Sequence, residues 1–232
     1  MFKWIGRIFQ LGILLLILIL VFHRVTFKWI SAIGLGLALG APVTIEDMRV
    51  DIRNTQAMWK GIKIGNPAGD FAGKTLADIP KIFLDFEISS LWEGRFHFET
   101  VEADIQELYI TRMPDGRVNL ISLKPLQKRE SQEGAGRPTA GGPLSFQIDQ
   151  LILTLGKVIS TDMTGPQPVV KSASLHIDHA VYRNVNGLED IVKIISWETL
   201  KRAGMGQLKG VLDRVGGPWG AGAGGLLEKI FG

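Results

Sequence analysis

Between Ile82 and Leu123 the apolar residues recur with a period of two. Ile82, Leu84, Phe86 and Ile88 are apolar, and Asp85 and Glu87 sit between them. That alternation makes a half-buried strand, oily on one face and wet on the other. Ser90, Glu93 and Gly94 break the run, and Phe96 and Phe98 restart it. At Val101, Ala103 and Ile105 the apolar set moves to the odd positions, which predicts a bulge or bend near Thr100. Leu108 and Ile110 continue the sheet. Pro114-Asp115-Gly116 predicts a turn, with Pro fixing φ and Gly taking the left-handed position.

The pattern recurs on both sides of this stretch. Val43, Ile45, Met48, Val50 and Ile52 predict a first strand with a phase shift partway. Trp59, Ile62 and Ile64 predict a second, ended by Gly65-Asn66-Pro67, and residues 67–78 read as a loop. Residues 124–143 are Gly, Pro and charge, and read as a flexible excursion between two halves of one sheet. Leu144, Phe146 and Ile148 resume the alternation, and Leu151, Leu153 and Leu155 take the opposite phase. Val169, Ala173, Leu175, Ile177 and Val181 give a long further strand, so the halves form a loose internal repeat.

Helical signals lie at the ends of the chain. Asn186 predicts an N-cap with Glu189 completing a capping box, for a helix over 187–203. Leu188, Ile191, Val192 and Ile195 form its stripe, and Gly204 stops it. Leu208, Val211, Leu212 and Val215 predict a short amphipathic helix within 205–232, followed by a Gly-rich tether and an amphipathic tail. At the other end Leu11–Phe22 is uninterrupted apolar sequence, and counting from Trp4 it approaches the roughly 20 residues that cross a bilayer. Residues 1–25 therefore read as a transmembrane anchor with the N-terminus cytoplasmic. A cleaved signal peptide is the rival reading, opposed by the distance to Ala38-Leu39-Gly40, the best small-residue site. Residues 26–41 predict a short helix with Ile30, Ile33 and Leu37 on one face and Gly40 as C-cap. That helix either covers one end of the sheet or lies at a membrane surface.

Composition removes most chemistry. The 232 residues carry 26 basic and 23 acidic side chains spread along the chain, so no basic patch for nucleic acid stands out. The absence of cysteine removes disulfides, thiol catalysis and Cys-based zinc sites. No nucleophile elbow, phosphate loop, HExxH or dinucleotide fingerprint is present. His176, Asp178 and His179 come closest to a constellation, but a strand turns His179 away from the other two. His97, between Phe96 and Phe98, reads as the polar half of an alternating strand. No catalytic residue, metal ligand or cofactor is expected.

The order of these features resembles the AsmA-like proteins of bacterial envelopes. An apolar span and short helix precede VTIEDMRVDI and GIKIGNPAG, and the strongest likeness runs over residues 79–123 and 144–162. Family members share a Ser-Leu-x-x-Gly turn and an ending that Asp115, Gly116, Asn119, Leu120 and Leu123 match here. The resemblance implies a mainly β fold. Its curved antiparallel sheet would form a half-barrel or groove over residues 42–204, with an N-terminal transmembrane helix and C-terminal amphipathic helices. It also implies an inner-membrane-anchored, periplasm-facing protein of outer-membrane and envelope homeostasis that binds or helps transfer phospholipid or another acyl lipid.

An oily sheet face with few helices to cover it must fold on itself or meet something apolar. Ile82, Leu84, Phe86, Ile88, Phe96, Phe98, Leu151, Leu153, Leu175 and Ile177 are the expected lining. About eight strands, spaced about 4.8 Å apart, make a groove on the order of 40 Å long, enough for a lipid or two but not for a bridge between membranes. Longer transport would need a homo-oligomer or an envelope partner. The alternative is a structural or adapter protein with a closed, filled core and no lipid. An enzyme would need His176 or His179 in an acidic cleft.

Overall fold

The computed structural model describes Gly12 and residues 28–93, 95–127 and 146–204. The expected anchor at 1–25, most of the 124–143 excursion and everything beyond Gly204 lie outside the described residues. Within them, seven strands form one curved, open sheet. Strands β1 (Val43–Thr44) and β2 (Asp47–Asp51) both pair with β3 (Gln56–Gly65). The sheet then continues through β4 (Thr75–Phe86), β5 (Phe96–Arg112), β6 (Phe146–Asp162) and β7 (Val169–Asn186). Helical residues 28–39 form α1; α2 (Ile88–Trp92) and α3 (Lys124–Gln127) flank β5, and α4 (Gly187–Ala203) follows β7.

Mainly β architecture is thus found, with seven strands among the described residues where about eight are expected, and the strands show three further differences of detail. The expected first strand is interrupted at Ile45–Glu46, where the Glu46 amide donates to the Lys60 carbonyl at 3.0 Å. Strand β4 begins at Thr75, inside the expected loop, because Leu76 and Ala77 are buried against the core. The third difference matters most. An antiparallel sheet is expected throughout, yet β5 and β6 run parallel, from Phe96 opposite Phe146 to Arg112 opposite Asp162.

Parallel neighbours cannot be joined by a hairpin; the chain must return to the start of the sheet before β6 begins. The described part of that return, residues 113–127, begins with the expected turn. The Gly116 amide donates to the Met113 carbonyl at 2.9 Å, with Gly116 at φ 85°. Val118, Leu120, Ile121, Leu123 and Leu126 then join the hydrophobic core. Burying side chains of this size contributes about 1.5–3 kcal/mol each. Asn119 fixes the path. Its Oδ1 accepts from the Thr111 and Leu120 amides, each at 2.9 Å, and its Nδ2 donates to Asn66 Oδ1 and the Tyr109 carbonyl, each at 2.8 Å. The side chain is wholly buried, and its amide is fully used.

The phase switches in the sequence have one structural cause. In β3 the buried or core-packed set passes from Ala57 and Trp59 to Ile62 and Ile64, and in β4 from Ala77 and Ile79 to Ile82 and Leu84. In β5 it passes from Val101 and Ile105 to Leu108 and Ile110, and in β6 from Leu155 to Val158. Strand β7 does the same between Ile177 and Tyr182. Both sets belong to one continuous core, so the switch keeps the apolar residues on one side of the sheet. Pairing skips Gly61 against Pro80, Pro80 against Ile105, and Gln106 against Gly156. An interruption aligned across neighbouring strands is a crease, and creasing bends a sheet. Gly61 at φ 58° and His176 and His179 at φ 49° mark its two outer ends. Nearer the sheet end, Asp85 pairs with Thr100 while Phe86 pairs with Phe98, so Glu99 is the extra residue of the bulge predicted near Thr100.

Helix α4 packs on β7 and β6, with Val192, Ile194 and Ile195 buried. Its cap differs from the expected one. The Asn186 side chain caps nothing; the Asn186 amide instead donates to Asp190 Oδ2 at 2.9 Å, one residue beyond Glu189. Gly204 ends the helix as expected, at φ 62° with its amide on the Leu200 carbonyl at 3.0 Å.

Two substitutions and one control test these features. A Cβ at Gly156 would sit 2.8 Å from the Gln106 carbonyl oxygen, whereas one at Gly165 meets nothing nearer than 3.7 Å. Gly156→Ala is expected to lower unfolding free energy by about 1–3 kcal/mol in urea titrations. Gly165→Ala is expected to change it by less than about 0.5 kcal/mol. Equal effects would remove the crease as the reason for this glycine. Asn119→Ala leaves two amides and two carbonyl oxygens without their partner and is expected to cost about 3 kcal/mol; a near-neutral result would mean that the crossover is held by its apolar side chains alone.

Candidate functional site

The expected lining separates into a covered part and an open part. Leu151, Leu153, Leu175 and Ile177 are all 3% exposed or less. They lie on β6 and β7, the strands that α4 packs against. Leu84 is buried as well. Ile82, Phe86 and Phe98 remain half-buried, and Phe96 is 53% exposed. Ile88 is not on a strand. It is the first residue of α2, because β4 stops at Phe86, and within α2 the Ser90 hydroxyl donates to the Glu87 carbonyl at 2.7 Å. The expectation that helices are too few to cover the oily face is corrected for the β6–β7 half, where α4 packs on it.

The open residues cluster where β4 ends and β5 and β6 begin. Phe86 pairs with Phe98 and Phe96 with Phe146, and the Phe98 and Phe146 rings meet edge to face at 6.2 Å. Ile82 pairs with Trp59 on β3. The indole Nε1 of Trp59 is buried and has no hydrogen-bond partner among the described residues. Aromatic rings with one face uncovered present much apolar area at small entropic cost.

On the opposite face of this end His97 has a definite place, which alternation alone did not signal. Its Nδ1 lies 2.8 Å from Glu87 Oε2, and its Nε2 lies 3.0 Å from Asp149 Oδ1 in an ion-pair contact that is not an aligned hydrogen bond. The imidazole thus joins the end of β4, the start of β5 and the start of β6. Asp149, and after it Glu87, favour the charged ring and raise its pKa above the usual 6.5, against a smaller opposing effect of burial. Glu87 is held below the usual carboxylate range by the Ser89 hydroxyl and by His97.

His179 Nδ1 contacts its neighbour Asp178, and both side chains are exposed. No group of three or more His, Asp or Glu side chains able to hold a metal occurs among the described residues. Tyr182 is buried, and its pKa is raised first by burial and then by Glu198. Glu198 in turn accepts from Arg202 Nε at 2.9 Å. This cluster fastens α4 to β7, where Arg202 also reaches the Leu175 carbonyl at 3.3 Å.

No family model, curated protein or solved structure matches the chain. Among the described residues no helix is long and apolar enough to cross a membrane.

A raised His97 pKa fixes the sign of one pH effect. The stabilisation is complete below the ordinary histidine range and is lost as pH rises through the raised value in the folded protein. The stability difference between the parent chain and His97→Gln should therefore shrink toward alkaline pH. A ring titration by NMR at or below 6.5 would refute the clamp.

Proposed function

We propose that this chain is a membrane-anchored lipid-handling protein of the AsmA-like type. An acyl chain lies against the open aromatic end of its sheet. The supporting observation is the uneven cover of the apolar face: closed at Leu151, Leu153, Leu175 and Ile177, half-open at Ile82, Phe86 and Phe98, and open at Phe96. Each buried methylene gains about 0.8 kcal/mol. A short stretch of acyl chain on Phe86, Phe96 and Phe98 is therefore worth several kcal/mol before ordering costs. The buried N–H of Trp59 is a donor that a lipid ester oxygen would satisfy. In this reading residues 1–25 anchor the chain in a bacterial inner membrane, and the sheet faces the periplasm.

A second reading has its own support. The packing of α4 over β6 and β7, together with the crossover side chains in the core, suits an adapter whose core is filled and holds no lipid. A phospholipid carrying a photoreactive diazirine in its acyl chain separates the two. With the full chain in liposomes, lipid handling predicts adducts on peptides containing Phe86, Phe96 and Phe98, reduced about tenfold by Phe98→Asp. Adducts confined to the N-terminal apolar run would favour the adapter and end the lipid proposal.

A further inference from the structure

Helix α1 carries an apolar ridge that the sheet does not use. Ala32, Leu35 and Leu39 pack onto the core. On the other side Trp29 is 62% exposed, Ile30 60%, Ile33 58% and Leu37 69%. At 100° per residue these four fall within about a third of the helix circumference, so they form one continuous strip. Exposed apolar residues scattered singly need no explanation; a strip of large ones along a helix does.

Three further observations identify what meets the strip. The apolar run ends at Phe22 and α1 is underway by Lys28, so only residues 23–27 separate them. Fully extended, that link reaches at most about 20 Å. With residues 1–25 as the anchor, that link holds the start of α1 within about 20 Å of the bilayer. Next, Lys124 lies at the far end of the strip, where its Nζ reaches the Leu37 carbonyl at 3.4 Å. A long cation beside an apolar strip suits the boundary between acyl chains and anionic headgroups. Finally, Trp29 stands at the end nearest the anchor, where an amphipathic ring sits best at the headgroup level.

We propose that Trp29, Ile30, Ile33 and Leu37 lie in the interfacial layer of the same bilayer that holds the N-terminal run. The lipid surface is the second cover of α1, and the β1–β2 edge of the sheet is held against the membrane. This rests on the anchor reading of residues 1–25, and the test keeps the two apart. Because the chain has no cysteine, single-cysteine variants accept an environment-sensitive fluorophore without background. Leu16→Cys, Ile33→Cys, Leu37→Cys and Asp178→Cys are labelled in the full chain, reconstituted in phosphatidylethanolamine–phosphatidylglycerol liposomes. Spin-labelled lipids serve as bilayer quenchers and iodide as the aqueous one.

The expected result is blue-shifted emission at 33 and 37, quenched by lipids labelled near the headgroup. Position 16 should be quenched by lipids labelled deep in the chain, and position 178 by iodide only. Deep quenching at 16 with iodide quenching at 33 and 37 overturns the ridge inference and leaves the anchor standing. Iodide quenching at 16 overturns the anchor, and the inference with it. Shielding of 33 and 37 from both quenchers means that protein covers the ridge, and that also overturns it.

Discussion

The parallel pairing of β5 with β6 is the constraint on which the rest of the molecule depends. An antiparallel pair could have closed with a short turn and left the whole apolar face bare. A parallel pair obliges the chain to travel back along the sheet, and the described part of this return passes over the oily side. Asn119 makes the detour specific. It joins the return segment to the end of β5 and to the loop after β3 through three hydrogen bonds, and a fourth holds its own Leu120 amide. Tied there, the segment brings Leu123 and Leu126 into the core, and α3 meets α4.

Curvature has a separate origin. An interruption in one strand bends that strand; one aligned across the sheet bends the sheet. Pro80 cannot donate to a ladder, and Gly156 lets the Gln106 carbonyl approach too closely for any side chain. At the α2 end His97 holds three strands together from the polar side. The aromatic rings on the other side therefore stand on a braced floor. Strand β7, at the open edge, carries left-handed residues at His176, His179 and Asn184, and such irregularities make a long edge a poor template for another strand.

Much of this was legible from alternation and turn chemistry. The strands, the bulge near Thr100, the Pro114-Asp115-Gly116 turn, the α1 cap at Gly40 and the α4 stop at Gly204 are local features, and local sequence encodes them. Strand direction is not local. Alternation tells which face a residue takes but not which way its neighbour runs, so β5–β6 read as antiparallel. Ile88 fitted the strand period by one residue too many, because periodicity does not count where pairing ends. His97 looked like any polar strand residue, since its partners are Glu87, just past β4, and Asp149, on β6. Asn119 was noticed as part of a pattern, but its role needed Asn66, which lies 53 positions earlier.

The cover of the apolar face decides how function is to be sought. A sheet fully covered by its own chain would offer an apolar ligand nothing, and a bare one would aggregate. This sheet is covered where α4 packs, at β6 and β7, and is left half-covered at Ile82, Phe86 and Phe98. A second apolar surface, on α1, faces away from the core at the end of the molecule where the N-terminal run attaches. Water is a poor solvent for both. On the membrane reading proposed above, one bilayer would answer both, seating the α1 ridge in its interface and supplying acyl chains to the aromatic end. On the adapter reading both surfaces would meet protein instead, so what covers each of them is the quantity that separates the two proposals.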